Sequence, residues 1–112
     1  MSAKSGDLEV LARLYATIAA RRGDDPATSY TAKLLAGGPP AIVRKLGEES
    51  IETVIAALQN DSAQTVRESA DLLYHLLVLW AACGIAPDDV WAELGRREGT
   101  SGIAEKAARA KP

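Results

Sequence analysis

The side chains best suited to chemistry lie in two short acidic stretches, Glu48-Glu49-Ser50-Ile51-Glu52 and Glu68-Ser69-Ala70-Asp71. On helices, Glu49 and Glu52 stand three residues apart, Glu48 and Glu52 four, and Glu68 and Asp71 three, so each cluster presents its carboxylates on one face. Between them lies the turn-prone trio Asn60-Asp61-Ser62, and the pairs Glu49/Asp71 and Glu52/Glu68 are both centred on residue 60. An antiparallel helix hairpin turning there sets Glu49 opposite Asp71 and Glu52 opposite Glu68. Four converging carboxylates repel one another, which calls for a cation between them.

The donors in this set are all oxygens, with no cysteine and no Glu-x-x-His spacing nearby. Such a set suits a hard cation, Mg²⁺ first and Mn²⁺ as a substitute, rather than zinc or a di-iron centre. Two such ions about 4 Å apart can activate a water and neutralise a departing phosphate, the chemistry of phosphoanhydride cleavage. Glu48, or whichever carboxylate the metal leaves unsaturated, is the candidate to accept the water's proton. Lys45 precedes the first cluster by three or four residues, within reach of a phosphate oxygen or of Glu48 and Glu49.

Positioning these groups falls to helices. Ala and Leu dominate the 112 residues, Phe is absent, and no β-branched run alternates, so an all-α single domain over residues 7–109 is expected. Residues 1–6 are expected to fray and 110–112 to be loose. Asp7 can cap a first helix carrying Leu8, Leu11, Leu14, Tyr15 and Ile18 to about Arg22. Thr28 or Ser29 can cap a short segment, residues 30–35, that halts at Gly37-Gly38.

Pro39-Pro40 opens the second main helix, roughly 40–59, with Ile42, Val43, Leu46, Ile51, Val54, Ile55 and Leu58 as its apolar set. Gly47 inside it suggests a close approach of some group to the backbone, since glycine there costs about 1 kcal/mol relative to alanine. The third helix, roughly 62–83, becomes apolar almost all round from Leu72 to Trp80, which predicts a bundle completed by homodimerisation. Gly84 ends it, and Pro87 starts a fourth main helix with Val90, Trp91 and Leu94 facing inward. Thr100 and Ser101 can cap a last short helix that bears Lys106 and Arg109 outward.

A net charge of −2 predicts no nucleic-acid or membrane partner, and no run reaches the ~20 apolar residues of a membrane span. The first residues lack an apolar signal core, so a cytoplasmic location is expected. The lone Cys83, within Trp80-Ala81-Ala82-Cys83, reads as a small buried hydrophobe. His75, one turn past Asp71, reads as a buried, hydrogen-bonded histidine rather than a catalytic one.

The pattern Glu48-Glu49-x-x-Glu52, fifteen residues, then Glu68-x-x-Asp71 resembles the metal motif of the MazG-like all-α nucleoside triphosphate pyrophosphatases. Further segments are similar to the phosphoribosyl-ATP pyrophosphatase family: Ser29-Tyr30-Thr31, Lys45-Leu46-Gly47-Glu48-Glu49, Ala70-Asp71-Leu72-Leu73-Tyr74-His75, and Arg97-Glu98-Gly99-Thr100-Ser101-Gly102-Ile103. That resemblance implies Mg²⁺-dependent hydrolysis of N1-(5-phosphoribosyl)-ATP to phosphoribosyl-AMP and pyrophosphate in histidine biosynthesis, by a dimer. It makes Glu49, Glu52, Glu68 and Asp71 the metal ligands, and Lys45, Arg97, Lys106 and Arg109 candidate phosphate contacts. Tyr30 and Thr31 either contact the nucleotide or pack the short helix, and Arg96 competes with Arg97 for its role. No cyclohydrolase segment accompanies the motif. Two alternatives stand beside this reading: a house-cleaning pyrophosphatase acting on (deoxy)nucleoside triphosphates through the same acids, and a non-catalytic helical dimerisation module.

Overall fold

The computed structural model describes residues 7–109, so the expectations for residues 1–6 and 110–112 fall outside it. Every regular element among the described residues is helical: α1 (Glu9–Ala20), α2 (Tyr30–Leu58), α3 (Ser62–Cys83), α4 (Pro87–Arg96) and α5 (Gly102–Arg109). No single helix among them is long and apolar enough to cross a membrane.

Local chemistry sets the boundaries. Asp7 Oδ1 accepts from the Glu9 amide at 3.0 Å, as a cap should. α1 ends at Ala20, two residues short of Arg22, and Arg22 donates from Nη2 to the Ala81 carbonyl at 2.6 Å. Tyr15 Oη donates to the Ile85 carbonyl at 2.8 Å, so α1 is tied at two points to the far end of α3. Ser29, not Thr28, caps α2, accepting from the Ala32 amide at 3.1 Å.

The short segment and second main helix expected from the sequence are the two arms of one bent helix. Gly38, at φ 76° and ψ 176°, forms the bend and Pro39-Pro40 begin the second arm. That conformation is essentially closed to residues with a Cβ. Asn60, at φ 57°, makes the hairpin turn, and Asp61 caps α3 by accepting from the Gln64 amide at 3.0 Å. Left-handed Gly84 closes α3, with the Ile85 amide donating back to the Trp80 carbonyl at 2.9 Å.

The α2–α3 hairpin is the most extensive helix pairing, and α1 packs on α3. Ile18, Leu34, Ile42, Leu77, Val78, Trp80 and Ala81 form the core. α1 contributes Leu11, Leu14, Tyr15 and Ile18 at the expected three- and four-residue spacing.

Three sequence expectations need correction. Cys83 is exposed, since it falls two residues past buried Ala81, about 200° around the helix and off the packed stripe. Gly47 has nothing within 4 Å of where a Cβ would stand, so it serves no close approach within this chain. Trp91 and Leu94 are exposed; only Val90 packs against the core, and Trp91 meets it as an edge against Trp80, with ring centroids 5.8 Å apart. Within one chain α3 leaves Leu73 open, and Val66 before the apolar run as well.

Candidate metal and phosphate site

The hairpin brings Glu49 of α2 together with Glu68 and Asp71 of α3, with one carboxylate oxygen of each lying within 4.8 Å of the others. Asp71 is exposed, while Glu49 and Glu68 are half-buried. Glu49 Oε2 is fully buried and has no hydrogen-bond partner. A carboxylate oxygen withdrawn from water without a partner, on a residue gathered with two other acids, is unfavourable unless a cation completes the group. The donor set and this orphaned oxygen therefore fit a hard divalent ion.

Glu52 lies outside the trio. One turn nearer the Asn60 turn, it opens onto a cavity of about 380 Å³ shared with Asp61, Gln64 and Glu68. Gln64, one turn before Glu68 on α3, donates from Nε2 to Glu68 Oε2 at 2.6 Å. Gln64 was not singled out from the sequence, although its four-residue spacing to Glu68 was the available signal. Glu48 turns from the trio toward Lys45, whose Nζ donates to Glu48 Oε1 at 3.3 Å. That contact raises the Lys45 ammonium above its ordinary value.

Tyr30 and Thr31 both reach α3. His75, 5% exposed, hydrogen-bonds the Asp71 carbonyl through Nδ1 at 2.7 Å and Tyr30 Oη through Nε2 at 2.9 Å. A carbonyl only accepts, so in the neutral ring Nδ1 carries the hydrogen and Nε2 accepts from the Tyr30 hydroxyl. Thr31 Oγ1 bonds the Tyr74 hydroxyl, and the Tyr30 and Tyr74 rings stack at 6.2 Å. Burial raises the Tyr30 phenol above its ordinary range, against the lowering pull of Lys45.

The expected C-terminal phosphate contacts meet acids of their own. Arg97 Nε donates to Glu93 Oε2 at 2.9 Å, and Arg109 Nε lies 3.3 Å from Glu105 Oε1. Arg96 bridges Glu93 and Glu105, each at 2.7 Å, so both adjacent arginines serve the same acids. Glu105, 6% exposed, is the buried hub that holds α5 to the end of α4, while Lys106 is exposed.

The α2–α3 hairpin of this all-α protein thus gathers Glu49, Glu68 and Asp71 into an acidic cluster of the kind that can hold a metal ion. A profile of the phosphoribosyl-ATP pyrophosphohydrolase family matches residues 11–98. The chain is 60% identical over 105 residues to a phosphoribosyl-ATP pyrophosphatase of Paramagnetospirillum magneticum, covering 94% of this chain and 96% of that one. With the phosphoribosyl-ATP pyrophosphatase of Azospirillum brasilense it shares 62% identity over 100 residues, 89% of this chain and 90% of the relative. With that of Rhodospirillum rubrum it shares 61% over 103 residues, 92% and 88% of the two chains. The chain belongs to the phosphoribosyl-ATP pyrophosphohydrolase family and is a hydrolase.

Proposed function

We propose that this chain hydrolyses the α–β phosphoanhydride of N1-(5-phosphoribosyl)-ATP, giving phosphoribosyl-AMP and pyrophosphate, as a step of histidine biosynthesis in the cytoplasm. Family membership supports the substrate. The observation that carries the chemistry is the buried, partnerless Glu49 Oε2 beside Glu68 and Asp71.

In this reading Glu49, Glu68 and Asp71 hold Mg²⁺, and Glu52 joins them from the neighbouring cavity, with Mn²⁺ as a substitute. When bound, the ion offsets negative charge on the phosphates and on the departing pyrophosphate. Gln64 fixes one oxygen of Glu68 by its amide, leaving the other to face the trio. Lys45 restrains Glu48, and both sit where a phosphate can take over the ammonium and release Glu48 to accept the water's proton. Arg97, Lys106 and Arg109 are the candidate contacts for the outer phosphates. Glu93 and Glu105 hold Arg97 and Arg109 in place, so an incoming phosphate competes with carboxylates for those two guanidinium groups.

The working unit is a homodimer. Ile51, Val54, Ile55 and Leu58 recur at i, i+3, i+4 and i+7 on α2 and are all exposed, Leu58 at 78%. A stripe with that period is what a helix buries, and here this chain leaves it bare.

The test is product analysis. Purified protein with Mg²⁺ should release pyrophosphate from phosphoribosyl-ATP and leave dUTP and dCTP largely intact. The reverse preference would make the chain a house-cleaning nucleotide pyrophosphatase. Turnover of neither substrate, by a folded dimer, would favour a non-catalytic dimerisation module.

A further inference from the structure

A second cavity, about 420 Å³, opens inside the bend of α2 and is lined by Tyr30, Lys33, Gly37, Ala41, Arg44 and Lys45 among others. Its size falls within the ~300–1,000 Å³ of small-molecule sites. The sequence offered no reason to group these residues, since Lys33 stands on one arm of α2 and Arg44 and Lys45 on the other. The Gly38 bend puts both arms around one space. Small residues shape its wall: a Cβ on Gly37 would come within 3.0 Å of Ala41 Cβ.

Three cationic side chains share this cavity, and among the described residues only Lys45 has an acidic partner, Glu48. Like charges gathered without counter-charge raise the local anion concentration and suit a phosphate. Tyr30 adds a hydroxyl whose proton is committed to His75, so its position is fixed from below. Lys45, in the lining of this cavity, pairs with Glu48 and stands one helical turn before Glu49 on α2, which sets the cavity near the acid trio.

We propose that this cavity is a phosphate subsite, in which Lys33 and Arg44, with Lys45, hold a phosphate group of the substrate beside the carboxylate trio. The inference rests on the pyrophosphohydrolase reading. Two groups of phosphoribosyl-ATP share the required chemistry: the 5′-phosphomonoester of the phosphoribosyl arm and the outer phosphates of the triphosphate.

The experiment compares the wild-type protein with Lys33→Ala, Arg44→Ala and the double variant. It measures kcat and KM on phosphoribosyl-ATP, and inhibition by ribose 5-phosphate and by inorganic pyrophosphate. Each single change should raise KM about tenfold with kcat nearly unchanged, the size of one lost charge-assisted contact. Arg44→Lys should recover part of that loss, and because Lys33 and Arg44 are exposed, thermal unfolding should stay at the wild-type temperature. Weakened inhibition by ribose 5-phosphate alone assigns the site to the phosphoribosyl arm; weakened inhibition by pyrophosphate alone assigns it to the triphosphate. A double variant with wild-type KM and wild-type inhibition by both anions overturns the subsite. Wild-type protein that fails to turn over phosphoribosyl-ATP sinks the underlying activity instead, and calorimetric titration with the two anions then still decides the cavity.

Discussion

His75 hydrogen-bonds the backbone carbonyl of Asp71, one helical turn earlier, at 2.7 Å, so a buried core residue is tied to the turn that presents an acid of the site. Its other nitrogen takes the Tyr30 hydroxyl hydrogen, which joins the first arm of α2 to the same turn of α3. His75→Phe keeps the ring volume and loses both bonds. The expected stability loss is about 1–3 kcal/mol, the cost of stranding a buried polar partner. Because Tyr30 lines the α2 cavity, KM should rise more than kcat falls, and chemical denaturation together with steady-state kinetics would check both. Wild-type stability and KM would show that the network positions nothing.

Glu49 stands in the opposite energetic situation. Its buried oxygen lacks a partner, so without metal the carboxylate should strain the fold it sits in. Glu49→Gln removes the charge while keeping the shape. In EDTA the variant should melt above wild type; with Mg²⁺ the order should reverse, because only wild type gains stability from the ion. Turnover should drop at least a hundredfold, on the order of ~3 kcal/mol in transition-state stabilisation. Differential scanning fluorimetry with and without chelator provides the readout, and a variant that melts below wild type in EDTA would count against a cation site at Glu49.

The hairpin and its trio were legible from spacing, because a single turn at Asn60 fixes the register of both arms and the caps Ser29, Asp61 and Gly84 are written in residue type. Glu52 shares a cavity with Glu68 near the turn, but Glu49, Glu68 and Asp71 are the three that draw within 4.8 Å of one another, a difference that spacing does not carry. Side chains on a helix face share a direction, but the gap between two helices varies along them, and near the turn it holds Gln64 and a cavity. The arginine–Glu105 cluster was equally hidden. Phosphate binding and carboxylate binding ask for the same guanidinium groups, and only the folding of α5 onto α4 shows which acid meets them in this chain. Cys83 was misread because an apolar run says nothing about the last turn of a helix, where the packing partners end.

Glu93 gives a pH signature. Hydrogen bonds from Arg96, and then from Arg97, hold its carboxyl at about 2, below the ordinary 4.5. A depressed folded pKa means that the contribution is complete above pH 4.5 and is lost as the pH falls toward 2. Asp7, lowered chiefly by its bond with Arg13, falls in the same acid range, so wild type alone does not isolate Glu93. The difference between wild type and Glu93→Gln does. Thermal unfolding followed from pH 6 to pH 2.5 should show the two proteins converging as acidity rises, and parallel curves would mean that Glu93 gains nothing from its arginines.

The bare stripe on α2 makes the assembly testable without reference to activity. Ile51, Val54, Ile55 and Leu58 lie on one side of the helix, whereas buried Ala56 and half-buried Glu49 and Thr53 lie on the side that packs toward α3. One helix thus presents Glu49 on one face and an apolar surface on the other, with Ile55 at the edge where the stripe meets the Glu52 cavity, and Leu73 and Val66 on α3 add exposed apolar area. Placing a charge in the middle of the stripe, as Val54→Asp, sets the cost of a desolvated carboxylate against dimerisation alone, because Val54 is already exposed within the chain. Sedimentation equilibrium should give a dimer for wild type and a monomer for the variant, with helical circular dichroism retained. The link between the faces predicts that the monomer also binds Mg²⁺ more weakly, since α2 carries Glu49 and its outer face is then unsupported. A Val54→Asp protein that stays dimeric would place the interface elsewhere; a monomer with unchanged Mg²⁺ affinity would mean that the two faces of α2 act independently.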